Sequence, residues 1–106
     1  KHFERRWANQ VVRRALEQLQ SEYQRRGQAP LFIGLQPSLT GELDTVARQQ
    51  LARRLRMSSG AVKVAVHRAR RRFGVLLRQE VAHTVSRPED IEAELRDLLG
   101  AIAAQG

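Results

Sequence analysis

Ser58-Ser59-Gly60-Ala61-Val62-Lys63-Val64-Ala65-Val66-His67-Arg68-Ala69-Arg70-Arg71-Arg72-Phe73-Gly74-Val75-Leu76-Leu77 reads as one helix that starts at a cap and buries one side. Ser58 is a good N-cap, with Ser59 and Gly60 in the first turn. Val62, Val66, Ala69, Phe73, Leu76 and Leu77 recur at helical spacing, so that side belongs in a core. The helix can run on to about Val85, although Gly74 lowers the helical preference of its middle. Upstream, Val46, Leu51, Ala52 and Leu55 mark the inward side of a helix from about Leu43 to Arg56. A three-residue turn joins the two, which is helix-turn-helix spacing. Met57 plugs the angle between them, and Ala52 is small where they approach each other.

Outward from this pair, the rest of the chain is also helical. Phe3, Trp7, Val11, Ala15, Leu19 and Tyr23 recur every four residues, with Val12 and Leu16 beside them. They predict an amphipathic helix from about His2 to Arg26. Gly27 suits the C′ position after its last basic turn. Pro30 opens a single helical segment that carries Leu31, Phe32, Ile33 and Leu35 and ends near Pro37. Residues 38–42 read as a turn. Ser86-Arg87-Pro88-Glu89 has the form of a capping-box start. The helix it opens has an apolar stripe of Ile91, Leu95, Leu98, Leu99 and Ile102. Its other face carries Glu89, Asp90, Glu92, Glu94 and Asp97. Nothing alternates with period two, so the fold class is all-α, one domain of 106 residues.

Charge then singles out one region. Between Asp44 and Glu80 there is no acidic residue, yet ten of the 19 Arg and Lys lie there. The remaining positions hold all 11 acids, so the whole net charge of +8 comes from this stretch. A localised positive field of that size points to a polyanion, most simply nucleic acid, and its coincidence with the helix pair narrows this to DNA. The chain has no cysteine, which excludes disulfides and Cys-based zinc sites and fits a reducing cytoplasm. No apolar run approaches the roughly 18 residues of a membrane span. No convergent acid, base or nucleophile set is visible, so no enzyme is expected, and neither a metal nor a cofactor. The chain starts at Lys1 inside a helical pattern, which suggests a piece of a longer protein.

Opposite the apolar side of the 59–77 helix project Gly60, Val64, His67, Arg68 and Arg71, with Lys63 and Arg70 flanking. The first turns of a recognition helix meet base edges in the major groove. Gly60 allows close backbone approach. Lys63 and Arg68 can donate to guanine O6 and N7, Arg68 through two parallel bonds. Val64 suits a thymine methyl, or is covered by a neighbouring helix. His67 serves a base edge or phosphate, or is an ordinary surface histidine. Arg70, Arg71 and Arg72 are placed for phosphates, setting register more than reading sequence. Ser58 and Ser59 can hold a phosphate at the helix N-terminus. Arg48, on the preceding helix, completes the DNA-contacting set.

The string LARRLRMSSGAVKVAVHRARRRF, residues 51–73, resembles the helix-turn-helix of region four of bacterial RNA polymerase sigma factors, most of all the extracytoplasmic-function group. VLLRQEVAHTVSRPEDIEAELRDLL, 75–99, is similar to a C-terminal extension in a subset of these factors. FERRWANQVVRRALEQL, 3–19, resembles the first helix of that region. The resemblance implies a cytoplasmic, monomeric domain that binds the promoter −35 element and docks on the flap of the polymerase β subunit, with an anti-sigma factor as a further partner. It carries the recognition positions onto Lys63, Val64, His67 and Arg68. The chain departs from the pattern at Arg53-Arg54, where small or acidic residues are common, and at Arg56, where Gly is usual.

Two other readings stay open. A free-standing dimeric regulator would need half-sites about one helical turn apart. An interaction module would bind polymerase or an anti-sigma partner and touch DNA little. The acidic tail helix either packs on the domain, against the first helix, or folds its acids toward the basic face.

Overall fold

The computed structural model describes residues 5–41 and 43–105. Phe3 and Glu42, and the start of the first helix, lie outside them. Six α-helices follow in order: α1 Arg5–Arg25, α2 Ala29–Leu35, α3 Pro37–Thr40, α4 Thr45–Leu55, α5 Ser59–Thr84 and α6 Ile91–Gln105. A single 3-10 turn, Pro88–Asp90, precedes α6. No strand occurs among the described residues, and the all-α expectation holds.

α5 is the organising element. Its 26 residues span about 39 Å at 1.5 Å per residue, nearly the 45 Å long axis of the molecule. It packs against every other α-helix. Val62, Ala69, Phe73, Leu76, Leu77 and Val81 are all buried in one cluster with Val11, Ala15 and Leu19 of α1 and Leu98 of α6. Gly74 does not interrupt it. α1 runs antiparallel to α5: Trp7 Nε1 donates to Thr84 Oγ1 at 2.8 Å at one end, and Arg72 binds Glu22 at the other.

The two helix ends that matter most close by the same local device. At α1, Gln28 N–H bonds the Tyr23 carbonyl at 2.8 Å and Gly27 N–H bonds that of Gln24 at 3.0 Å. At α4, Met57 N–H bonds Ala52 at 2.8 Å and Arg56 N–H bonds Arg53 at 3.2 Å. Both are Schellman motifs, which require a left-handed residue at C′. Gly27 supplies it with φ 71° and without strain. At α4 the residue is Arg56, with φ 57° and ψ 46°. A side chain there costs about 1–2 kcal/mol of steric energy. Arg56→Gly is therefore expected to stabilise the fold by about 0.5–1 kcal/mol, after the extra backbone entropy of glycine is discounted. A urea melt with unchanged slope and a higher midpoint is the expected reading; a lower midpoint would show that the arginine side chain contributes contacts that outweigh the strain.

Asp44 and Ser58 cap α4 and α5, accepting from the Ala47 and Ala61 N–H groups at 2.7 and 3.0 Å. Residues 56–58 thus form a tight, fully capped turn between the two helices, with Met57 packed against the core.

Several expectations are corrected. Val46 is 61% exposed; at 100° per residue it lies opposite Leu55, so it cannot share the inward side with Leu51 and Ala52. The segment opened by Pro30 ends at Leu35, because Pro37 has no N–H to continue the ladder. Residues 37–40 then form a helical turn rather than an irregular one, with Ser38 fully buried and its hydroxyl donating to the Leu35 carbonyl. Ser86 does not cap the last helix; Arg87 stands at the entry to the 3-10 turn, without a side-chain cap. In α6, Leu99 is 43% exposed, while Glu94, assigned to the wet face, is 8% exposed. Leu98 sets the buried direction, and Glu94 lies about 40° from it, Leu99 about 100°. The tail packs on the domain, as one of the two readings had it, but chiefly against α5 and α3.

Gly34 marks a contact that no periodicity signals. A Cβ built there would lie 2.3 Å from Leu51 Cδ1. Glycine is what lets α2 close on α4.

Candidate nucleic-acid interface

The exposed side of α5 follows from its buried side. With Val62, Ala69, Phe73 and Leu76 inward, the residues half a turn away are Gly60, Val64, His67, Arg71, Val75 and Arg78. Lys63 and Arg68 lie at the two margins of that face. Gly60, Lys63, Val64, His67, Arg68 and Arg71 are all exposed, as are Ser58 and Ser59 at the capped start. Val64 is 48% exposed, so no neighbouring helix covers it. Among the described residues no carboxylate pairs with Lys63, Arg68 or Arg71. Over its first three turns, Gly60 to Arg71, the face is cationic with Val64 exposed among the cations, and exposed Val75 follows one turn on.

Arg48 sits differently. It lies on the side of α4 that holds Ala52 and Leu55, and is half-buried. It belongs to the margin of the α4–α5 junction rather than to the open face.

Arg70 and Arg72, expected at phosphates, are used within the fold. Arg70 donates from Nε to the Ser38 carbonyl at 2.8 Å and from Nη2 to the Gly41 carbonyl at 2.7 Å. These carbonyls lie within α3 and at its C-cap. Arg70 therefore ties α3 to α5. Arg72 makes a forked contact with Glu22: Nε to Oε1 at 2.9 Å and Nη2 to Oε2 at 2.6 Å. Arg78 pairs with Glu92 of α6. Three of the ten bases in the acid-free stretch are thus bound internally. The open face owes its charge to Lys63, Arg68 and Arg71, with Arg53 and Arg54 exposed on α4 nearby in sequence. Only the identity of the partners, 14 to 50 residues distant, separates a fold arginine from a surface one.

The Arg72 hydrogen bond holds the Glu22 carboxyl below its ordinary value of about 4.5, against the opposing effect of partial burial; the Arg72 charge adds to the lowering. A depressed carboxylate stabilises the fold at pH above its unfolded value, and that contribution is lost as pH falls through the folded value. The pair is part-exposed, 45% on the arginine side, so solvent screening limits it to about 1 kcal/mol or less. Glu22→Gln is expected to lower stability slightly at pH 7; the gap to the parent chain is expected to narrow once pH falls below about 4.5 and to close only below the lowered folded value. Urea midpoints from pH 7 down to pH 2 check this; a gap that does not narrow over that range would point to packing instead of charge.

No known family model, no curated protein and no solved structure matches the chain. Among the described residues no helix is long and apolar enough to cross a membrane.

Proposed function

We propose that this chain is the −35-binding domain of a bacterial RNA polymerase sigma factor of the extracytoplasmic-function type. α5 enters the major groove with its first three turns, α4 braces it across the 56–58 turn, and the domain docks on the β flap of core polymerase. The observation that carries the reading is the first three turns of the open face of α5: Lys63, Arg68 and Arg71 exposed without a carboxylate partner among the described residues, Val64 exposed between them, and a capped N-terminus at their start. DNA affinity needs cations toward phosphates, and base reading needs side chains of mixed chemistry toward the groove floor. Lys63 and Arg68 suit guanine, Val64 suits a thymine methyl, and His67 suits a base edge. Arg71 and the Ser58–Ser59 helix start suit phosphates.

A single recognition helix without a partner half-site binds weakly. Tethering to polymerase raises the local concentration of the domain at the promoter, so much of the working affinity comes from the flap contact. The domain acts as a cytoplasmic monomer in this reading and uses no cofactor. An anti-sigma factor would act by covering the same surface or the flap contact.

The test is binding to a library of −35 promoter duplexes, with and without the β flap, at two salt concentrations. A selective signal that appears or sharpens with the flap is the expected result. Tight selective binding by a dimer without the flap would replace this reading with a free-standing regulator. Flap or anti-sigma binding without any DNA signal would make the chain an interaction module.

A further inference from the structure

Beside the open face of α5, a cleft of about 710 Å³ separates the helix from the end of α1. Four guanidinium groups line it: Arg25 and Arg26 from the α1 end, Arg68 and Arg72 from α5. Its one carboxylate, Glu22, is held by Arg72. Glu22 also feels the charges of Arg25 and Arg26, but its single negative charge offsets only one of the four positive ones that face the cavity. Like charges gathered this way repel, and a bound anion relieves the repulsion.

One wall of the cleft is built on the core. Arg26 lies 4.8 Å from the centroid of the Tyr23 ring, a cation–π contact that holds the guanidinium in place. The Tyr23 ring is buried and leans on buried Phe32, with centroids 5.7 Å apart. The Schellman turn at Gly27 fixes the backbone that follows. Arg68 also lines a second, shallower depression with His67 and Arg71, so the cleft is continuous with the open face. A ligand lying along α5 reaches both.

We propose that this cleft holds a backbone phosphate of the DNA strand that flanks the groove entered by α5, making the end of α1 a second DNA-contacting element. This rests on the promoter-binding reading and adds to it a sequence-independent clamp. Guanidinium forks match phosphate oxygens in geometry, and contacts of this kind set register without reading bases. Arg68 stands at the junction, between the base-facing arc and the phosphate cleft.

The experiment uses the whole chain and the variant Arg25→Gln/Arg26→Gln, with helicity and melting compared first. Arg25→Gln alone, on an exposed side chain, serves if the double variant is unfolded. Titration with fluorescent duplexes of several sequences across a salt series is expected to show affinity lowered on the order of tenfold on every sequence, with the ranking of sequences kept. The slope of log K against log salt is expected to fall by roughly 0.9, the value for one lost phosphate contact. Unchanged affinity and slope, or a changed ranking, would overturn the clamp. A parallel titration with pyrophosphate follows the ring signals of Tyr23, the single tyrosine of the chain. A saturable shift lost in the variant is expected even if no duplex binds, an outcome that would sink the promoter reading and the DNA clamp but keep the anion site. No shift with pyrophosphate overturns the site itself.

Discussion

Leu77→Ala is expected to lower the unfolding free energy by about 3–5 kcal/mol, the upper part of the range for buried leucines. Leu77 has no exposed surface and stands in the C-terminal half of α5, the helix against which all the others pack. Leu77 belongs to one buried cluster with Phe73, Leu76 and Val81 of its own helix and with Val11, Ala15 and Leu19 of α1 and Leu98 of α6. These side chains cannot all relax into a void opened there, so the cavity contribution adds to the lost transfer free energy. Against a total stability of about 5–15 kcal/mol for a domain, the variant is left marginal. Urea unfolding at 25 °C measures the loss. Leu99→Ala on exposed α6 surface, as the control, is expected to stay within about 0.5 kcal/mol. A loss below 1 kcal/mol at Leu77 would mean that α5 is not the centre of the packing.

Lys63→Glu combined with Arg71→Glu is expected to lower DNA affinity on the order of a hundredfold or more, with the fold intact. Both side chains are exposed, and no described carboxylate pairs with either, so the change costs the fold little. On DNA each substitution removes an attractive contact worth about 1–3 kcal/mol and puts a repulsive charge in its place. Duplex binding at low salt reads the loss, and the melting temperature confirms the fold. A folded double variant with parental affinity would place the DNA surface elsewhere, or nowhere on this chain. The same substitutions at Arg70 and Arg72 are expected to act through the fold instead, since each would remove a tie between α5 and another element.

The contrast between these two pairs of basic residues shows where sequence reading reaches its limit. The start of α5 at Ser58, its run past Gly74 to Thr84, the three-residue turn and the C′ role of Gly27 were all legible in the residues. So was the outward side of α5, since the buried apolar side leaves only one direction for Lys63, Val64, His67 and Arg71. Nothing in the spacing of Arg70-Arg71-Arg72 says that the outer two are bound internally and the middle one is open. The exposure of Val46 and Leu99 was computable from 100° per residue once the inward residues were known. Which apolar residues define the inward side is not a local property in a short helix.

What the sequence by itself determined is therefore what depends on neighbours within about four positions: helix identity, the caps at Ser58 and Gly27, the length of the 56–58 turn and the bipolar pattern of α5. These rest on backbone hydrogen bonds and side-chain periods that close within one turn. Only the tertiary structure decided the fate of the cations and of the close contacts. Arg72 finds Glu22 fifty residues away, Arg70 finds the α3 carbonyls 29 and 32 residues away, and Gly34 is required by Leu51. The cleft at Arg25, Arg26 and Arg68 exists because α1 returns antiparallel along α5. A guanidinium on a long flexible stem can reach a carboxylate, a carbonyl or a phosphate with similar geometry, and packing alone selects which of them lies within reach.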